Sequence, residues 1–257
     1  MDRPREPLPT RVEDTPDLPA AYHAALDAGL AALDLTLTPA ARAAIDGHAR
    51  LLLAWTSAIN LTAIRDPSAV AVAHVVDSLT AATLLRELGV DQLLDLGSGG
   101  GYPGLPLAAA LPADRALLIE PVAKKASFLS VAAAATGLAD VVEAAPVRAE
   151  ALAADPRHRG RWPAVTVRAV ASLADLVELA FPLLAPGGCL VAWKRGDLSA
   201  ELAAAERAID ALGGGSLVVR AVDIPGLDGH RLVVATPGGR VPSGYPRDPA
   251  ARKRRPW

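Results

Sequence analysis

Gln92-Leu-Leu-Asp95-Leu-Gly97-Ser-Gly99-Gly-Gly101-Tyr102-Pro-Gly104 combines a short apolar run with a burst of glycines. The run predicts a buried strand, and the glycines predict a turn in which backbone can approach a ligand closely. A helix is expected from about Gly104, with its N-terminus facing the same crevice. Outward from this stretch, apolar runs recur between helical segments. Ala116–Glu120 predicts a second strand, Val141 and Val142 a weaker third, Ala164–Val170 a fourth and Cys189–Trp193 a fifth. Helices are expected over Lys124–Ala135, Ser172–Leu184 and Ser199–Leu212. Strand–helix alternation argues for a parallel sheet covered on both faces. The rhythm then changes: Ser216–Ile224 and Arg231–Thr236 predict a terminal antiparallel pair.

The ninety residues before the first strand carry a different pattern. Residues 1–20 hold five prolines among charges, which predicts a disordered or loosely docked tail. Residues 21–90 predict a helical extension. Within it, Thr38-Pro39 is a helix start, and Ala41, Ala44, Ile45, Leu51, Leu52 and Trp55 follow at helical spacing. Asn60–Pro67 interrupts it, and a further helix is expected to carry His74, Asp77 and Ser78. Residues 91–239 form the expected α/β domain, and residues 240–257 a basic tail.

The net charge of −2 excludes a uniform polycation, so any nucleic-acid partner needs a local basic patch. Arg247, Arg252, Lys253, Arg254 and Arg255 provide one, either as a solvated end or as a phosphate-binding element. The single cysteine, Cys189, excludes an intrachain disulfide and a cysteine-rich zinc site; it is expected to be buried in its strand, and no metal is expected. The N-terminus lacks the apolar run of a signal peptide, and no stretch approaches the roughly 20 apolar residues of a membrane span. A cytoplasmic location follows as an expectation.

Gly99, Gly101 and Gly104 formally match the dinucleotide fingerprint, which leaves a nicotinamide enzyme open. The fuller pattern, acid-x-Gly-x-Gly-x-Gly from Asp95, resembles motif I of the Rossmann-like methyltransferases. Their cofactor, S-adenosylmethionine, carries an ammonium and a sulfonium, which a carboxylate at Asp95 suits and a pyrophosphate does not. Glu120, at the end of the next strand, is placed to accept bonds from both ribose hydroxyls; that feature alone also suits NAD.

More particular segments resemble one family, the bacterial 16S rRNA guanine-N7 methyltransferases, also called glucose-inhibited division protein B. They are Trp55 with Asn60–Asp66, His74-Val-Val-Asp-Ser-Leu79, the glycine turn through Leu107, Glu120-Pro with Lys124-Lys125, Arg148-Ala-Glu150, Arg168–Ala171, Lys194, Pro225–Leu227 and Tyr245-Pro-Arg247. The resemblance covers roughly residues 40–255. Ser57, Ala73 and Val167 depart from residues frequent in that family. It implies a class I fold with a mostly parallel seven-stranded sheet, and methyl transfer from S-adenosylmethionine to N7 of one guanine in small-subunit RNA. It implies cofactor contacts at Gly97, Tyr102, Ala149, Glu150 and Arg168, to which the residue reading adds Asp95, Gly99 and Glu120. N7 has a free lone pair, so the reaction asks for positioning and electrostatics instead of a proton-abstracting triad. Arg168, Lys194, His74 and Asp77 are the candidates for that work. Each of the last three also has a structural reading, as a cap, a helix contact or a strand end. A methyltransferase with another target and a non-catalytic RNA-binding module are the remaining alternatives, and nothing in the sequence demands a dimer.

Overall fold

The computed structural model describes residues 7–168 and 170–257. In chain order the helices are α1 (Ala20–Ala32), α2 (Pro39–Trp55), α3 (Pro67–Val70), α4 (Asp77–Leu79) and α5 (Ala82–Glu87), with a π-helical turn, Ala71–Val76, between α3 and α4. Then come β1 (Gln92–Leu96), α6 (Gly104–Ala110), β2 (Arg115–Ile119), α7 (Ala123–Ala135), β3 (Val142–Ala145), α8 (Ala149–Ala154) and β4 (Trp162–Arg168). The chain closes with α9 (Leu173–Ala180), β5 (Leu184–Arg195), α10 (Ser199–Ala211), β6 (Gly215–Ala221), β7 (His230–Pro237) and α11 (Pro249–Arg254).

The strands form one seven-stranded sheet ordered β3-β2-β1-β4-β5-β7-β6. Its first five members run parallel, and β7 lies antiparallel to both β5 and β6. Side chains alternate between two cores, as a period of two demands. Leu93, Leu118, Ala164 and Val191 face α2, α6, α7 and the Pro67–Glu87 helix. Leu94, Leu117, Val165 and Leu190 face α8, α9 and α10. The strand expectations hold at their centres and shift at their ends. β5 begins five residues earlier than Cys189, because Leu184 pairs with Trp162 across a register shift.

The helical extension is built as expected from Thr38, whose Oγ1 accepts from the Ala41 amide at 3.1 Å while Pro39 fills the first turn. The expected loose tail is corrected from residue 7 onward; its first six residues lie outside those described. Trp55 Nε1 donates to the Pro9 carbonyl at 2.7 Å, Arg50 Nε donates to Thr15 Oγ1 at 3.1 Å, and Leu8, Val12 and Leu18 pack on the core. Apolar residues between the prolines supply the burial, and proline reduces the chain entropy lost on docking. Pro67–Glu87 is also longer and more apolar than expected, enough to cross a membrane by length and composition. Its apolar residues, among them Val70, Val75, Val76 and Leu85, are instead buried against the sheet domain.

The basic tail folds back on α9. Glu178, fully buried, accepts from the Arg247 amide at 2.7 Å, from Arg247 Nη2 at 2.6 Å and from Trp257 Nε1 at 2.8 Å. Arg247 also lies over the Trp257 ring, 4.4 Å from its centroid. Removing one partner from such a buried pair leaves a charge without compensation. Glu178→Gln is therefore expected to lower the unfolding free energy by about 3 kcal/mol, measured by denaturant titration; an unchanged midpoint would show that the tail is held by other contacts.

Candidate active site

The carboxyl ends of β1, β2, β4 and β5 and the first residue of β7 surround a cavity of about 760 Å³. Open sheets of this type place ligands in this crevice, where the strand order reverses. β7 contributes because it runs backwards: its start, His230, pairs with Arg195 at the end of β5.

On one side lies the glycine turn. Gly97, Gly99 and Gly101 all have positive φ, at 70°, 53° and 90°. Their surroundings differ. A Cβ at Gly101 would stand 2.8 Å from His48 Nε2, and one at Gly104 2.8 Å from Asp95 Oδ2, so these two glycines serve packing beneath the turn. Gly97 and Gly99 face the cavity. Glu120, nearly buried, accepts from the Gly99 amide at 3.1 Å and from the Val122 amide at 2.9 Å. Each carboxylate oxygen keeps a lone pair free, as a vicinal diol requires. The residues present therefore fit the ribose of S-adenosylmethionine.

Asp95 does not line this cavity, which corrects its assignment as a partner of the cofactor's ammonium. It is fully buried under the turn, where Oδ1 accepts from Thr166 Oγ1 at 2.8 Å. Burial pushes its carboxyl up to about 6, against the opposing effect of the hydroxyl donors. Alternation along β1 explains the placement: Leu96 follows Asp95 on the opposite face, and Gly104 alone leaves room above the carboxylate. Ala149 and Glu150 also fall outside the cavity lining. Glu150 lies in the first turn of α8 and pairs instead with Arg252 of the tail, at 2.5 Å.

On the other side, Tyr102 is stacked between two imidazoles, His48 at 4.4 Å and His74 at 4.9 Å between centroids. Burial pushes both histidines down to about 4, so both rings are neutral at physiological pH. His48 Nε2 donates to the Gly100 carbonyl at 2.7 Å and pins the glycine turn to α2. His74 rides on the π-helical turn. Its Nδ1 lies 3.2 Å from Arg168 Nη2 and its Nε2 2.7 Å from Thr62 Oγ1. Nδ1 also lies 3.1 Å from the Ala73 carbonyl, so the guanidinium donor and this carbonyl acceptor compete for the same ring nitrogen. Arg168 also donates to Asp77 Oδ2 at 2.9 Å and to the Ala73 carbonyl at 2.8 Å. Asp77 Oδ1 accepts from His230 Nδ1 at 2.9 Å, and Trp193 Nε1 donates to the Asp77 carbonyl at 2.7 Å.

The sequence candidates thus divide. Gly97, Gly99, Tyr102, Glu120, Arg168, His74, Asp77 and Lys194 line one cavity. Lys194 is committed within it: its Nζ donates to the Ala171 carbonyl at 2.9 Å and to Glu201 at 2.6 Å, which anchors the segment after β4. Ala169 of that segment lies outside the described residues. His48, Trp193 and His230 were missed by sequence reading. His48 had a visible signal, since it sits on the apolar stripe of α2 between Ile45 and Leu52. His230 had none, because only the strand reversal brings it to this edge.

The family model described as rRNA small subunit methyltransferase G (GidB) matches residues 42–227. The chain belongs to this family. A relative named ribosomal RNA small subunit methyltransferase G from Dehalococcoides mccartyi (strain CBDB1) is 40% identical over 220 residues, which cover 85% of this chain and 93% of that protein. One of the same name from Anaeromyxobacter sp. (strain Fw109-5) is 46% identical over 176 residues, 67% of this chain and 78% of that one. Among solved structures, an O-methyltransferase from Bacillus cereus in complex with SAH superposes with a TM-score of 0.53 at 18% identity, over 74% of this chain and 90% of that one. The O-methyltransferase TomG from Streptomyces achromogenes, in complex with SAM, gives 0.51 at 21% identity, over 80% and 92%. These two likenesses establish the class I methyltransferase fold.

Glu120 and Asp95 are expected to separate in experiment. Glu120→Ala should weaken S-adenosylmethionine binding by roughly 1.5–3 kcal/mol, about 10- to 150-fold, by isothermal titration. Asp95→Asn should leave that affinity within a few-fold and alter stability instead. With the folded carboxyl near 6 and an unfolded value near 4, the native state holds the extra proton between them, so wild-type stability falls as pH rises through that window. The variant should lose this fall, on the order of 3 kcal/mol; an unchanged pH profile would place the titration elsewhere.

Proposed function

We propose that this protein transfers the methyl group of S-adenosylmethionine to N7 of a specific guanine in 16S ribosomal RNA. The observation that carries this is the joining, in one cavity, of a diol-ready Glu120 and open glycine turn with a wall contributed by His74, Asp77 and Arg168, the segments that set this family apart. When bound, the cofactor supplies an electrophilic methyl whose leaving group is a neutral thioether. The N7 lone pair forms the new N–C bond, and the C–S electron pair departs with sulfur. No proton has to be removed beforehand. The chain's work is then to hold the two groups in line, to exclude water and to present dipoles to a base that becomes cationic. Glu120 and the turn orient the cofactor. Neutral His74 and the paired Arg168–Asp77 avoid placing an uncompensated positive charge against that base. We infer action as a monomer, since every side chain given a role here lies on one chain. An RNA of the small ribosomal subunit as substrate supports a cytoplasmic location.

Small-subunit RNA from a strain lacking the gene, incubated with labelled S-adenosylmethionine, should gain label at one guanine. Mild reduction and aniline should then cleave the strand there, as 7-methylguanine permits. Label without cleavage would move the target atom away from N7; no label would exclude this RNA as substrate.

The basic tail enters this function in reduced form. Arg247 and Arg252 are engaged with Glu178 and Glu150, while Lys253, Arg254 and Arg255 are exposed. We assign phosphate contact to those three. Replacing all three by Ala should flatten the logarithmic salt dependence of RNA affinity by roughly 0.7–0.9 per contact, without changing cofactor affinity or melting temperature. An unaltered slope would make this end of the chain purely structural.

A further inference from the structure

The polar groups of the cavity are almost all committed. Thr62 and His74 bond each other, Arg168 is held by Asp77 and Ala73, Trp193 by Asp77 and Thr80, and Lys194 by Glu201 and Ala171. Among the described residues, the side-chain groups left over on the cavity wall are Lys125, Arg195, the spare lone pairs of Glu120, His230 Nε2, and the Tyr102 hydroxyl, which is buried without a partner. The first and third of these belong to the cofactor side. Arg195 is exposed at the rim. His230 Nε2 is the one uncommitted acceptor on the β5–β7 side, and the ring is mostly buried, with a side-chain exposure of 20%.

We propose that His230 reads the target guanine by accepting its N1–H at Nε2. This rests on the guanine-N7 reading above. Asp77 fixes the role. Its Oδ1, 2.9 Å from Nδ1, takes the ring proton there and leaves the Nε2 lone pair directed away from the carboxylate. Asp77 is itself held by Arg168 on Oδ2, with its side chain 3% exposed, so the ring has no freedom to exchange nitrogens. The donor on guanine is as well defined. N7 must stay free to react and O6 only accepts, whereas N1–H donates; adenine presents a bare N1 in its place. A ring of fixed tautomer therefore accepts one base and leaves two acceptors opposed with the other. Methylation at N7 also places positive charge on the purine, which makes N1–H a stronger donor. The bond to Nε2 strengthens as the new N–C bond forms, so it favours the transition state over the ground state.

His230→Ala and His230→Gln are compared with wild type in single-turnover methylation of 16S RNA carrying guanosine or 1-methylguanosine at the target. 1-Methylguanosine retains N7 and lacks N1–H. Wild type is expected to lose about tenfold or more in rate on the 1-methyl substrate, and His230→Ala to be equally slow on both. The Gln side chain can place an amide oxygen near the lost Nε2, so His230→Gln should recover part of the rate on guanosine alone. S-adenosylmethionine affinity should be unchanged in both variants. The proposal is overturned if His230→Ala methylates guanosine at the wild-type rate, if it discriminates between the substrates as wild type does, or if cofactor affinity falls as far as the rate. Should His230→Ala fail to fold, the substrate discrimination of His230→Gln decides in the same way. A wild-type enzyme that gives no aniline-sensitive product would instead refute the guanine-N7 reading.

Discussion

The Asp77 carboxylate stands where the helical extension meets the sheet, and it is almost wholly removed from water. A buried carboxylate costs several kcal/mol unless its oxygens are met by donors. Here they come from two distant parts of the chain, Arg168 at the end of β4 and His230 at the start of β7, while Trp193 of β5 binds the backbone of the same residue. Satisfying one charge thus ties the extension to three strands at their ligand-binding ends. The extension cannot be regarded as an appendage, since it supplies one wall of the cavity and holds the others.

The glycine turn is held from the same direction. His48 reaches from α2 to the Gly100 carbonyl, and Tyr102 fills the space between His48 and His74. The turn is therefore clamped between Asp95 below and two neutral imidazoles at its side. A π-helical turn at Ala71–Val76 presents His74 there; such turns change which face of a helix a side chain occupies and are frequent at functional sites. Stacking of uncharged rings suits a site whose product base is cationic, because it adds polarisable surface without adding positive charge.

At the far side, the tail plays two parts. Arg247, Trp257 and buried Glu178 form a clasp that closes the lower core against α9. Arg252 joins α11 to Glu150 at the start of α8, so the clasp extends to the helix that follows β3. The remaining cations are left on the outside. A run of like charge in the sequence is thus divided by tertiary structure into buried structural members and exposed ones available to phosphate.

The sequence alone determined the class of fold. Apolar runs with interposed helices, the turn at Gly97–Gly104 and the final pair of strands follow from periodicity and glycine chemistry, which are local properties. Glu120 was legible for the same reason: a strand end beside the turn fixes its place. Asp95 was legible as important but not as buried, because its face of β1 depends on what packs above it, namely Gly104. Glu150, Arg247 and Arg252 could not be assigned, since their partners lie 102, 69 and 102 residues away in the chain. His230 depended on the tertiary structure most of all. Only the reversal of β7 against β5 carries it to the edge where Asp77 waits, and no local pattern encodes a pairing made across 153 residues.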